Sequence, residues 1–148
     1  MHDFTLGLSY LLGGICLYAC AFHAVIGLRR PMDSTQLVFA ALCAATGCLG
    51  IASANVGKAT DPMAYLEWLR WSVNFGVLTY LVQTWFVAFY TKTLPKLLLY
   101  PLSAFYLVVL FVNTFGEQTI QYQRLDSIKS VVMPWGEPIA FGVGVPSA

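Results

Sequence analysis

Residues 4–28 read FTLGLSYLLGGICLYACAFHAVIGL, twenty-five positions with no Asp, Glu, Lys or Arg. As a helix the run is ~37 Å long, enough to cross a ~30 Å hydrocarbon core with some tilt. It stops at Arg29-Arg30-Pro31, two cations followed by a helix breaker. The preceding Met1-His2-Asp3 has no basic stretch, and the run exceeds the apolar core of a secretory signal, so this segment is expected to persist as a span.

The rest of the chain repeats the pattern. Of its 148 residues, 58% belong to the set AVILMFWYC and 10% are charged, against ~25% charged residues in soluble domains. A soluble fold of this size has too much surface to cover with so few charges. A net charge of +1 gives no electrostatic footprint for a nucleic acid. The composition points to an all-α membrane protein.

Three further runs follow. Leu37–Ala54 is built from small residues, including Ala40, Ala41, Ala44, Ala45, Gly47 and Gly50. Such spacing lets helices approach closely, and Asn55-Val56-Gly57-Lys58 reads as its closing turn. Asp61 and Pro62 suit a helix start. The span proper is read over 66–91, because Trp71 and Tyr90 lie ~28 Å apart on a helix, at the spacing of two interfacial aromatic belts. The fourth span is read over 95–113, opening at Pro95 and kinked or reset at Pro101. Residues 1–114 thus form a four-transmembrane-helix bundle and residues 115–148 a short tail. In the tail, Ser130–Met133 and Ile139–Phe141 read as short strands around Trp135-Gly136-Glu137.

Arg29, Arg30, Lys92 and Lys96 fall in two short loops on one side of the membrane, whereas Lys58, Arg70, Arg124 and Lys129 are spread along the other. The positive-inside bias acts on short loops. The expected topology is multi-pass in a bacterial inner membrane, with both termini and the tail extracytoplasmic.

No Asp, Glu, Lys or Arg lies in the apolar core of any span, which removes the coupling group a proton-driven transporter needs. His23 is the one imidazole within a span. It shares a helix face with Cys16 and Cys20, and only Cys43 and Cys48 offer further soft ligands. No zinc or haem spacing is present, and a bis-histidine haem would lack a second intramembrane histidine. Neither a metal nor another cofactor is expected. Arg70/Asn74 and Thr79/Gln83 stack on the third span at i, i+4. His23, Arg70, Asn74 and Gln83 are therefore the candidates for a ligand cleft or, on the blander reading, for polar packing between helices. Trp135 and Glu137 are the candidates for docking the tail, with Glu137 expected near Arg70. No nucleophile–base pair, phosphate loop or carboxylate pair is present, so no catalytic residue is assigned.

Four segments together carry a family likeness: His23 with Gly27-Leu28-Arg29-Arg30-Pro31, Leu37-Val38-Phe39-Ala40, Phe86-Val87-Ala88-Phe89-Tyr90-Thr91, and Pro134-Trp135-Gly136-Glu137. The chain resembles the N-terminal multi-helix membrane sensor region of bacterial multidomain signalling proteins, in which about seven helices precede PAS, histidine-kinase or diguanylate-cyclase domains. The resemblance implies a non-catalytic input module, either truncated or stand-alone, since these residues hold four spans and no output domain. The alternative is a small structural accessory subunit of a larger respiratory or photosynthetic membrane complex. A transporter ranks last. The expected partners are the bilayer and other membrane helices, by self-association or within a larger complex.

Overall fold

Four helices succeed one another along the chain and a β-hairpin follows them: α1 Phe4–Arg29, α2 Ser34–Lys58, α3 Pro62–Thr91, α4 Lys96–Phe115, β1 Tyr122–Val132 and β2 Pro138–Pro146. The computed structural model describes residues 4–29, 34–92, 96–116 and 120–146. The stop signal at Arg30-Pro31 and the opening Pro95 lie outside the described residues. The helices have 26, 25, 30 and 20 residues. All four are long and apolar enough to cross a membrane.

The sequence reading places α2 too short at both ends. Its closing turn, Asn55 to Lys58, is helical because Asn55 does not break the ladder. The Asn55 Nδ2 donates to Ile51 O at 2.9 Å within the helix, and its Oδ1 accepts from Tyr10 of α1 at 2.9 Å. A polar side chain served from both sides has no reason to leave the helix. Helix α3 begins at Pro62, where Asp61 and Pro62 mark a helix start in the sequence. The Asp61 carboxylate accepts from Ala64 N at 3.0 Å, and the proline occupies the first turn, where no donor is lost. The helix ends at Lys92, a non-glycine residue at φ 55° whose N–H donates to Ala88 O at 3.1 Å. Helix α4 runs through Pro101 without interruption.

Helix α1 packs on α2, α2 on α3 and α3 on α4, so the bundle is an open row with α1 and α4 at its ends. The central α2 buries Ala40, Cys43, Ala45, Gly47, Ala52 and Ala54. Those small side chains bring backbones together. A Cβ on Gly47 would stand 3.0 Å from Gly13 O, and one on Gly13 would stand 3.1 Å from Gly47 O. Contact this close is the means by which helices associate where lipid removes the hydrophobic drive. By contrast α4 is flanked on one side, and Leu97, Phe105, Val108, Phe111 and Phe115 are exposed.

The tail is more regular than the sequence suggests. Its strands have 11 and 9 residues and pair antiparallel from Val132↔Pro138 to Tyr122↔Pro146, with two register shifts. Polar residues scattered along β1 conceal the strand, and glycines 142 and 144 conceal β2. The turn closes through Met133 N→Glu137 O and Gly136 N→Met133 O, both 2.8 Å, with Gly136 at φ 84°. The hairpin folds back onto α2 and α3. The Gly142 position faces the buried Tyr65 ring, and Gly57 lies near Ile139. This end of the molecule therefore gathers the start of α1, the end of α2, the start of α3 and the end of α4.

Candidate functional site

The first turn of any helix leaves backbone N–H groups without intrahelical acceptors. At α1 they are met by a residue 131 and 132 positions away in sequence. Glu137 Oε2 accepts from Thr5 N at 3.0 Å, and Oε1 accepts from Leu6 N at 3.3 Å. The Trp135 indole Nε1 also donates to Oε2, at 3.0 Å. The Glu137 side chain is fully buried. A negative charge at a helix N-terminus is further favoured by the helix dipole. The Thr5 hydroxyl is the leading cause that holds this carboxyl at about 2, against an ordinary 4.5. The Trp135 indole and the N–H groups of Thr5 and Leu6 act in the same direction, and burial opposes them. The sequence expectation that Glu137 would approach Arg70 is corrected: α2 stands between α1 and α3 in the row, and the turn reaches across to α1.

Arg70 is engaged elsewhere. Its Nη2 donates to Gly116 O at 3.0 Å, tying α3 to the end of α4. Below it lies a second buried polar group. Asn113 is fully buried, and its Nδ2 donates to Asn74 Oδ1 at 2.8 Å and to Arg70 O at 3.1 Å. Its Oδ1 accepts from Ile120 N at 3.2 Å, at the threshold of the hairpin. Asn74 Nδ2 donates to Thr114 Oγ1 at 3.1 Å, and Thr114 Oγ1 donates to Leu110 O at 2.7 Å. Among the described residues no buried side-chain nitrogen or oxygen lacks a partner. A satisfied network of this kind specifies one packing and penalises others, since any shift strands a buried polar atom.

His23 lies toward the opposite end. Its Nδ1 donates to Gln36 Oε1 at 2.6 Å, across α1 and α2. The ring meets Phe22 and Phe39 edge-on, with centroids 5.5 and 4.6 Å away. Phe39 continues to Phe86, and Phe86 stacks on Tyr90. Gln83 does not join either group. It is exposed on α3, and among the described residues its amide has no hydrogen-bond partner. Of the four cleft candidates, then, Arg70 and Asn74 come together, His23 stands apart and Gln83 faces outward.

Sequence reasoning missed Asn113, Thr5, Asn55 and Tyr65. Asn113 was legible only as the end of a run, although a polar side chain one turn inside an apolar helix is itself a sign of interhelical bonding. Thr5 and the α1 backbone carry no such sign, because their role depends on a partner from the far end of the chain. Among the described residues no group of three His, Cys, Asp or Glu side chains is placed to hold a metal ion, and the four cysteines are free thiols. The arrangement offers hydrogen bonds and a buried charge, the means to hold segments together and to let them shift. Compared with protein-family models, curated proteins and solved structures, the chain gives no match.

Proposed function

We propose that this chain is a multi-pass membrane module that receives an input at its hairpin and passes it on as a change in helix packing. The observation that carries the reading is the buried Glu137 carboxylate, which ties the hairpin turn to the first turn of α1. Any event that moves the turn strands the N–H groups of Thr5 and Leu6, and so bears directly on α1. The Asn113–Ile120 bond ties α4 to the approach to β1, and the Arg70–Gly116 bond ties α3 to the end of α4. The bilayer is a bacterial inner membrane, with Arg29 and Lys92 on its cytoplasmic side and the hairpin outside. Four apolar helices of spanning length support the multi-pass part of this reading.

Spin labels at the far ends of α1 and α3, on Leu28→Cys and Thr91→Cys, test transmission. Their distance distribution in vesicles is expected to shift when Glu137→Gln releases the turn. An unchanged distribution, with the hairpin shown to be released by proteolysis, overturns the reading.

A second reading, an accessory subunit, is favoured by one feature: the broad exposed face of α4, which among the described residues packs chiefly on α3. Purification from native membranes decides between them. A stoichiometric partner retained in mild detergent supports the subunit, and its absence supports the module.

A further inference from the structure

Gln83 sits eight residues before the end of α3, ~12 Å along the helix, and twelve after Trp71, ~18 Å. On the membrane-spanning reading above, on which this inference rests, that is the middle of the hydrocarbon. An amide there that faces outward has neither water nor protein to bond with. One turn earlier Tyr80 is 62% exposed, and among the described residues its hydroxyl also has no partner. Two outward polar groups at one depth do not suit a surface that meets lipid alone.

Their spacing adds a second argument. Gly76, Gln83 and Tyr90 recur every seven residues, and Tyr80 and Val87 fall four after the first two. With the four-residue step running from d to the next a, Gly76, Gln83 and Tyr90 take d positions and Tyr80 and Val87 a positions of a two-helix seam, and polar residues within such a seam constrain its register. Tyr80, Gln83, Val87 and Tyr90 are all exposed, while Gly76 is half-buried. Gly76 still meets Leu49 of α2, and from Tyr80 to Tyr90 the stripe is left exposed among the described residues.

We propose that this stripe of α3 is the interface of a homodimer, in which Gln83 bonds to Gln83 of a second copy. The reason for a second copy rather than an unrelated helix is complementarity at fixed depth. Two copies inserted in the same orientation can be related only by a two-fold axis along the membrane normal, so each residue near that axis meets itself at its own level. An amide carries both donors and an acceptor, so Gln83 is its own complement. A lysine or aspartate at the same place would not be. Tyr80 has the same property through its hydroxyl.

The protein is reconstituted in phosphatidylcholine–phosphatidylglycerol vesicles at a series of protein-to-lipid ratios, and dimer formation is read by energy transfer and by disulfide trapping. Val87→Cys should trap a covalent dimer, whereas Val108→Cys on the exposed face of α4 should not. Gln83→Leu should raise the dimer dissociation constant about tenfold, and Gln83→Asn should restore part of the loss. A monomer at every ratio, trapping through Val108→Cys but not Val87→Cys, or a dimer indifferent to Gln83→Leu overturns the proposal. Alkaline carbonate extraction separates the two levels. A chain that washes off the membrane overturns the spanning reading together with the dimer, and a chain that stays embedded but monomeric overturns the dimer alone.

Discussion

The two ends of the helix row are held by different kinds of contact. At the hairpin end, bonds join segments that are far apart in sequence: Glu137 to Thr5 and Leu6, Arg70 to Gly116, Asn113 to Asn74, Tyr10 to Asn55. At the other end the contacts are the His23–Gln36 pair and the aromatic run Phe39, Phe86 and Tyr90. The first end has few solutions, because each buried polar atom must find one partner. The second has more, because aromatic pairs accept either offset-stacked or edge-to-face arrangements over a range of centroid distances. On the proposed function, the difference says where a change of state would begin: the polar latch has two clear conditions, made and broken.

The largest expected effect comes from breaking the latch. Glu137→Gln keeps the side-chain shape but removes the charge, and its amide nitrogen opposes N–H donors. The hairpin should become a ready target for limited proteolysis, and the Trp135 indole ¹⁵N resonance should move toward its solvent-exposed position. The pH dependence has a defined sign. The folded carboxyl titrates at about 2 and the ordinary one at 4.5. The ionised form is therefore favoured by the docked hairpin. Its contribution is complete above pH 4.5 and is lost as pH falls through about 2. Wild-type protection should fade over that interval, and Glu137→Gln should show no such transition.

A substitution between the ends tests whether they are independent. Gly47→Leu places a side chain where a Cβ already meets Gly13 O at 3.0 Å. Overpacking at such a site costs ~1–3 kcal/mol. Unfolding in mixed detergent micelles should read that loss, and both ends should loosen together. A variant that frees one end and leaves the other intact breaks the idea that α1 and α2 couple them.

Asn113→Leu sharpens the comparison from the hairpin side. It removes the Asn113 bonds to Asn74 Oδ1 and from Ile120 N. Interhelical polar bonds of this type are worth ~1–2 kcal/mol in membranes. The loss should appear as lower stability in detergent unfolding and as faster amide exchange near Ile120. At the opposite end His23→Leu should be the mildest, ~0.6 kcal/mol in the same unfolding assay, with the hairpin as protected as in the wild type. A larger effect for His23→Leu than for Asn113→Leu would reverse the comparison.

Length, charge and periodicity are local properties, and they were sufficient for the four apolar helices and for the existence of a polar tail. A bilayer-length run without charge has one stable conformation available to it in lipid, since only a helix satisfies its own backbone. For the same reason the small residues of α2 announced a packing helix before any partner was known. Helix ends were less legible. Asn55 has a turn-forming habit in isolation, and only its partner Tyr10 on α1 decides otherwise, whereas Asp61 and Pro62 mark the start of α3 in the sequence itself.

The arrangement of those parts belongs to the tertiary structure. That α2 is central, that Glu137 closes α1 rather than pairing with Arg70, and that Asn74 is buried while Gln83 faces out are facts of relative rotation and order. On a single helix Asn74 and Gln83 carry the same signal, a polar residue within an apolar run. Which of them meets Asn113 depends on where α4 lies, and no local pattern encodes that. The α1 N–H groups are likewise present in any helix. They become a latch only because the hairpin turn at 133–137, with Gly136 at φ 84°, delivers a carboxylate to them.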